Sequence, residues 1–423
     1  MMPYHQQLKD YTNLDGRDIW EYRLTLSPRE VRFLVKHLLE LEHTYFDYYF
    51  LDKNCSYFIL DALEAVRPEA VLTHDHAQFV IPADTIRTLA RTPGWIAERV
   101  YRPSLATDFY RHADALESHE AAWVTRLTRG PELPQQILND SSWLQLTAPH
   151  RAAILETAML FASLREVHER RDWPERGYQL KVARASLGAQ PDSADEKRRS
   201  EPPETGHDSS QLAVHLGAFD GQGFAELQAR AAYHDLLSSE TGYLSQSQME
   251  VGRLRLRLEQ PTQRLYLQEL TVLNLLSAAP SDRYFQQISW SISIRGERLM
   301  DKGDLSQFDP MIDGGIGSTV RLPGLGHTYL LTLGQLLTQY GNDLTPNYRL
   351  GLGPKFILLT HLTSHWRIAA NYEYRWYVSG EKSDFAIWGV ENSVDTARNW
   401  EMRLAYLSVN QYPQASGSVL WHF

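Results

Sequence analysis

The chain has 423 residues, 43% apolar and 22% charged, the proportions of a folded protein of two or three domains. Its single cysteine excludes an internal disulfide framework and CxxC-type zinc sites. The formal charge of −10 speaks against nucleic acid as a partner, and no run of about 18 apolar residues could cross a membrane as a helix.

The first segment, MMPYHQQLKDYTNLDGRDIW, has no apolar core of secretory-signal type, which at face value implies a cytoplasmic protein. IWEYRLTL (Ile19 to Leu26) alternates as a strand does. Ser27-Pro28-Arg29-Glu30 reads as a capping box with proline at the first helical position, and Val31, Leu34, Val35, Leu38 and Leu41 follow at helical spacing. An aromatic run (Tyr45, Phe46, Tyr48, Tyr49, Phe50) precedes Asn54-Cys55-Ser56-Tyr57. There a helix with Phe58, Ile59, Ala62, Leu63 and Val66 begins, and Arg67-Pro68 stops it. A further short helix is expected from Pro82 to Ala90. Ala106 to Leu127 and His150 to Arg171 carry apolar residues three and four apart, so 105–187 reads as a helical segment. Residues 188–210 hold almost no apolar side chain and read as a flexible linker.

From Gln211 onward, strict alternation replaces helical spacing. Leu254, Leu256 and Leu258 interleave with Arg253, Arg255 and Arg257, and Trp400, Met402, Leu404 and Tyr406 with Glu401 and Arg403. About twelve such segments recur, near 212–219, 223–233, 248–258, 263–275, 286–296, 312–322, 327–338, 346–358, 364–377, 384–394, 398–409 and 415–423. Their length of about 9–11 residues suits a tilted transmembrane strand. One face carries Trp and Tyr near the strand ends, as aromatic girdles do, and the other carries Arg, Glu, Asn and Gln, as a polar lumen would. A soluble β-sandwich or jelly roll is the competing reading. The chain ends SVLWHF, with Val419, Trp421 and Phe423 on one face, which resembles the C-terminal signal that outer-membrane barrels present to their assembly machinery. Outer-membrane lipid and that machinery are therefore the expected partners. Twelve strands leave a narrow lumen, to be filled with ion pairs by Arg253, Arg255, Arg257, Arg349, Arg367, Arg375, Glu373 and Glu401. An anchor or small channel is expected rather than a wide porin.

Cys55 follows Asn54 at a helix start, where free N–H groups and the helix dipole lower a thiol pKa and favour a nucleophilic thiolate. A buried structural cysteine is the alternative. The surrounding FDYYFLDKNCSYFILDALEAVRP, with RDIWEYRLTLSPREV upstream and IPADTIRTL and Arg102-Pro103-Ser104 downstream, resembles the Lnb N-terminal periplasmic domain family over about residues 1–104. That family is similar to thiol enzymes of the NlpC and lecithin:retinol acyltransferase type. The resemblance implies that Cys55 is the nucleophile, that the chemistry is acyl transfer onto lipoprotein N-termini through a thioester, and that a barrel can follow the domain.

The resemblance also implies a histidine base on a strand upstream of the cysteine, in a Gly-His step, and no such step precedes Cys55. The chain is thus expected to begin inside the domain, with an exposed core edge. His5, His37, His43, His74 and His76 are the local substitutes; His37 and His43 do not share a helix face. His74-Asp75-His76 is a weak metal pattern that more often marks a polar loop. Asp47, Asp52, Tyr48, Tyr49 and Tyr57 surround the thiol in sequence. Tyr57 is a candidate hydrogen-bond donor, and Asn54 is the better candidate, as helix cap or orienting residue. No Walker, GxGxxG or GxSxG motif is present; Gly315-Ile316-Gly317 lies on an expected strand.

The expected fold is α+β: a partial papain-like (NlpC-type) domain over 1–104, a helical segment over 105–187, a linker over 188–210 and an antiparallel transmembrane β-barrel over 211–423. The expected function is outer-membrane thiol acyl transfer, with lipoprotein or phospholipid as substrate and no metal or cofactor. The alternatives are a peptidoglycan amidase or peptidase, a non-catalytic anchor or narrow pore, and a soluble β-rich binding protein.

Overall fold

A computed structural model describes residues 10–14, 16–49, 51–74, 80–130, 132–169, 174–190, 200–260, 262–298 and 307–423. The chain divides into two compact units, one formed by residues 1–26 and 93–201, the other by 27–92 and 202–423. The partition runs through residues 1–104.

In the first unit, β1 (Ile19–Leu24) pairs antiparallel with β2 (Ile96–Arg102). Asp18 pins this strand pair to the next helix by accepting hydrogen bonds from the Ser104 backbone (2.8 Å), Thr107 Oγ1 (2.7 Å) and the Tyr101 hydroxyl (2.7 Å). Burial pushes the Asp18 pKa up, and these hydrogen bonds outweigh it and hold the carboxyl below the ordinary aspartate value. Helices α4 (Leu105–Ala113), α5 (Ser118–Arg129), α6 (Ala148–Glu169) and α7 (Pro174–Ser186) follow. The expected helical stretch from Ala106 to Leu127 is interrupted, because Glu117 and Glu120 form a capping box that starts a new helix. Phe109, Val124, Leu127, Ile154, Phe161 and Leu180 are fully buried between these helices, and Phe109 stacks on Phe161 at 5.2 Å.

The second unit begins with α1 (Pro28–Glu40). Ser27 is its N-cap, and the capping box with Glu30 and the proline at the helix start are as read from sequence. No residue of α1 is buried; Val31, Phe33, Val35, Leu38 and Leu39 are all exposed. Two more helices follow, α2 (Cys55–Glu64) and α3 (Pro82–Arg91). Of the stretch 188–210 read as a flexible linker, residues 191–199 lie outside the described residues. Its last part is packed: Glu204, His207, Asp208 and Ser209 are buried. That packing is carried by polar groups, which an absence of apolar residues does not reveal.

Twelve long antiparallel strands follow: β3 (Gln211–Phe219), β4 (Gln222–His234), β5 (Ser247–Glu259), β6 (Arg264–Ser277), β7 (Ser289–Glu297), β8 (Asp309–Arg321), β9 (His327–Tyr340), β10 (Tyr348–Thr363), β11 (Trp366–Gly380), β12 (Asp384–Ala397), β13 (Trp400–Val409) and β14 (Tyr412–His422). Each expected segment has its strand. Every strand pairs with its chain neighbours, and the β14–β3 pairing (Gln414↔Phe219 to His422↔Gln211) closes the ring. A two-residue bridge, Pro280–Ser281, adds to β8. One of the two-residue turns, Asp220-Gly221, has φ of 45° and 80°, the geometry a two-residue hairpin turn demands. Of the connection between β7 and β8, residues 299–306 lie outside the described residues.

The pleat sorts the residues as the alternation requires. Leu212, Val214, Leu216, Trp290, Ile292, Leu350, Leu352, Phe356, Trp366, Trp376, Trp388, Trp400, Met402, Leu404 and Tyr406 are exposed on the outer surface. The inner faces hold paired charges: Arg257–Glu226 at 2.7 Å, Arg253–Glu269 at 2.6 Å, Arg295–Asp313 at 2.7 Å, Arg375–Glu373 at 2.5 Å and Arg403–Glu401 at 2.5 Å. Arg349 donates to Gln339 Oε1 at 3.0 and 2.9 Å and lies 4.2 Å from the Tyr377 ring centroid. Apolar clusters fill other levels of the interior: Leu337, Tyr377, Ile387 and Val409 in one, Leu276, Ala278, Leu331 and Leu333 in another. The loop after β4 folds inward, where Arg403 donates to Asp235 (2.8 Å) and Arg367 to the Leu237 carbonyl (2.8 Å).

Leu404, 66% exposed on the outer face, tests the membrane assignment. Leu404→Arg is expected to destabilise the barrel by about 2–4 kcal/mol in vesicles, as charges on a lipid face do. Denaturant unfolding followed by tryptophan fluorescence measures this, and Leu404→Met is expected to be nearly neutral.

Candidate functional site

Asn54 organises the start of α2. It is 4% exposed, and its Oδ1 accepts from the backbone N–H of Ser56 (3.1 Å), that of Tyr57 (3.3 Å) and the Ser56 hydroxyl (2.7 Å). Its Nδ2 donates to the Val80 carbonyl at 2.7 Å, and the Val80 N–H donates to the Leu51 carbonyl at 2.9 Å. One amide thus caps the helix and ties it to the strand of chain entering α3. Cys55, the first residue of α2, is exposed. The result is an accessible thiol on the first turn of a helix whose start is held rigidly from below.

Among the described residues no imidazole hydrogen-bonds this thiol. The His37 ring stacks on Phe33 within α1, and His43 and His74 are exposed. His5, His76, Asp75 and Phe50 lie outside the described residues. The Tyr57 ring packs edge-on against Phe58 at 5.7 Å, and Phe58 in turn meets Phe46 at 4.8 Å. Tyr45, Tyr48 and Tyr49 are exposed, Tyr45 almost completely at 98%. No group of three or more His, Cys, Asp or Glu among the described residues could hold a metal ion.

The helix next to the thiol helix is fastened to the barrel rim. Arg87 on α3 is 1% exposed. It pairs with Asp84, donates to the Pro203 carbonyl (3.2 Å) and the Tyr243 hydroxyl (3.1 Å), and lies 5.5 Å from the Tyr243 ring centroid. Arg91 grips Asp208 with contacts of 2.5 and 2.8 Å to the two carboxylate oxygens, and Asn399 Nδ2 donates to Asp208 at 2.8 Å. Burial raises the Asp208 pKa, and Arg91 and Asn399 more than offset this, leaving it below the ordinary value. Sequence reading missed this contact. Its one local signal is that Asp84, Arg87 and Arg91 share a helix face, while Asp208 lies 117 residues further along.

At the far end of the chain, Val419, Trp421 and Phe423 all lie on the exposed outer face. Trp421 stacks on Phe423 at 5.0 Å and on Trp400 of the neighbouring strand at 6.1 Å. Phe423 also closes the ladder with Ser210, its N–H donating at 2.9 Å and its carbonyl accepting at 3.2 Å.

A closed ring of twelve strands with an apolar exterior and a polar, packed interior defines an outer-membrane β-barrel protein. Residues 200–423, more than half of the chain, match the family described as "Domain of unknown function (DUF7840)", and the chain belongs to that family. Residues 1–92 match the Lnb N-terminal periplasmic domain. Among curated proteins none matches. Similar solved structures include a KdgM porin in complex with disordered oligogalacturonate, at 11% identity and TM-score 0.30, which covers 50% of this chain and 99% of its own. A NanC porin is similar at 7% identity and TM-score 0.31, covering 50% and 100%. The COG4313 outer membrane channel from Pseudomonas putida F1 is similar at 8% identity and TM-score 0.33, covering 52% and 96%.

Asn54→Ala removes the helix cap and the tie to Val80, and is expected to cost about 1–2 kcal/mol locally. Faster amide hydrogen exchange over 55–64 measures it. The Glu30 carboxyl is held down to about 2 by the hydrogen bond from Arg67, with the Ser27 backbone and hydroxyl adding to it. A carboxylate with a lowered pKa stabilises above its unfolded value and loses that contribution as pH falls through the folded one. A carboxyl-detected NMR titration is therefore expected to place Glu30 near 2, and Arg67→Met to move it back towards the ordinary glutamate value.

Proposed function

We propose that Cys55 is the nucleophile of an acyl-transfer site facing the periplasm. The observation that carries this reading is the exposed Cys55 thiol on the first turn of a helix capped by the buried Asn54, inside the stretch that matches the Lnb N-terminal periplasmic domain. In this reading the thiolate attacks the acyl carbonyl of a phospholipid ester, the glycerol oxygen leaves with a proton, and a thioester forms on Cys55. The amine of a lipoprotein N-terminus then attacks the thioester, and the thiol is released. Asn54 acts as a positioning residue through the helix start, and Tyr57 stands as a candidate hydrogen-bond donor.

The proposal includes a domain of NlpC type over residues 1–104, followed by the helical segment 105–187. The exposed apolar residues of α1, Val31, Phe33, Val35, Leu38 and Leu39, are the kind of face that packs against a domain core. Val419, Trp421 and Phe423 are proposed as the signal to the barrel-assembly machinery.

The filled interior favours a second reading for the barrel itself. Arg230, Arg257, Arg349, Arg367, Arg375, Glu401 and Arg403 line the inner wall and are nearly inaccessible, which suits a membrane anchor better than a pore. The same thiol could serve a peptidoglycan amidase or peptidase, with an amide carbonyl in place of the ester.

The test uses the full-length gene product in its membrane with a phospholipid carrying an alkyne-tagged acyl chain. The expected result is hydroxylamine-sensitive labelling of the protein that Cys55→Ala abolishes. If the parent takes no label, and lipoprotein acylation and peptidoglycan cleavage are both unchanged in Cys55→Ala cells, the catalytic reading fails and the anchor reading stands. Planar-bilayer recordings are expected to show no stepwise conductance, and steady channel openings would overturn the anchor reading.

A further inference from the structure

The contact between α3 and the barrel rim contains three imidazoles. His207, His234 and His422 are 2%, 3% and 2% exposed, and they come from separate pieces of chain: the segment before β3, the end of β4 and the end of β14. The His207 ring centroid lies 4.1 Å from His422, 6.2 Å from His234 and 4.5 Å from Tyr243. His234 stacks on Tyr243 at 4.7 Å with the rings 9° from parallel. The Tyr243 hydroxyl donates to the His207 carbonyl at 2.8 Å and accepts from Arg87 at 3.1 Å. One stack of rings therefore joins the loop over 235–246, the end of the barrel and α3.

The stack is built for neutral rings. His207 Nδ1 sits 2.7 Å from the Asp208 carbonyl, so that nitrogen carries a proton. His207 Nε2 and His422 Nδ1 are buried without a hydrogen-bond partner. Positive charge already faces the cluster: Arg87 and Arg91 from α3, Arg230 from β4, Arg367 from β11, Arg398 from the turn before β13, and Arg403 from β13. The acidic groups around it are mostly engaged. Asp84 is bound by Arg87 and Ser209, Asp208 by Arg91 and Asn399, and Asp235 by Arg230 and Arg403. Glu401 is bound by Arg403 and lies 3.5 Å from His422 Nε2. The Glu204 carbonyl accepts from Arg398, and Tyr233 meets Tyr243 edge-on at 5.5 Å.

We propose that the ring stack of His207, His234 and His422 forms an acid-sensitive latch that holds α3 and the 235–246 loop on the barrel rim while His207 is neutral, and releases α3, with the Cys55 helix tied to it, when His207 is protonated. This does not depend on Cys55 being catalytic. Burial pushes the His207 pKa well down, and its histidine neighbours push it further. A buried imidazole with a lowered pKa leaves the docked state intact above about pH 6.5 and weakens it as pH falls below that value.

Cys55 is the sole cysteine and is exposed, so a spin label there and a second on Gln411→Cys, in the turn between β13 and β14, report the docking distance. The full chain in lipid vesicles is measured by double electron–electron resonance at about pH 7.5 and about pH 5. The expected result is one narrow distance at the higher pH and an added broad population at the lower. Arg87→Leu is expected to show the broad population at both. The triple variant His207→Gln, His234→Gln, His422→Gln is expected to lose the pH response. Should the triple variant fail to give a heat-modifiable barrel, His207→Gln alone, outside the strands, is expected to shrink the response. The proposal is overturned if a folded parent keeps one distance at both pH values, if the substituted protein responds as the parent does, or if Arg87→Leu stays docked throughout.

Discussion

Everything in this protein hangs on one backbone seam. In a hydrocarbon layer no water is present to satisfy an unpaired amide, so a sheet is tolerated only when its two edges meet. Here the edges are the first and last strands of the barrel, joined from Gln211↔His422 to Phe219↔Gln414. The seam extends one step beyond the strands, through the reciprocal bonds of Ser210 and Phe423. Closure at this point places both the entry to the barrel and its last residue at the same rim, and that rim is where α3 docks.

The interior follows from the same constraint. A ring of twelve strands is wide enough that its inner wall must be either wet or packed. This barrel is packed, with charges paired across and along strands and apolar clusters at separate levels. Such pairs contribute little net stability as a set, but removing one partner strands a buried charge at a cost of about 3–5 kcal/mol. The polar face therefore specifies one arrangement of the wall rather than a path through it. The Arg367 contact to Leu237 and the Arg403 contact to Asp235 extend that arrangement into the loop that Tyr243 shares with α3.

Strand alternation was nearly the whole barrel in readable form, because a pleat puts successive residues on opposite sides of the wall and lipid and lumen demand opposite chemistry. Ser27 and Glu30 were readable for a similar reason: a capping box is local, and its partners are three residues apart. Asn54 as a helix cap was likewise legible, but its second bond, to Val80, was not, since nothing in the sequence marks which carbonyl a side-chain amide will reach. The rim contact was the least legible feature. Arg87, Asp208, Tyr243 and the three histidines are scattered polar residues in elements whose periodicity concerns other faces. For the same reason the packed stretch from Glu204 to Ser209 reads as linker: periodicity registers apolar burial, and this burial is polar.

The route of the chain gives the rim contact a temporal meaning. The piece carrying the thiol is synthesised early, yet the groups that hold its neighbouring helix in place, Asp208 and Tyr243, come from the barrel part, and Asn399 comes from the turn before the next-to-last strand. The pairing of Arg91 with Asp208 is completed by Asn399 only when that late turn is in place. The helix beside the thiol thus draws its anchorage from both ends of the barrel sequence, so a change near either end of that sequence reaches the same helix.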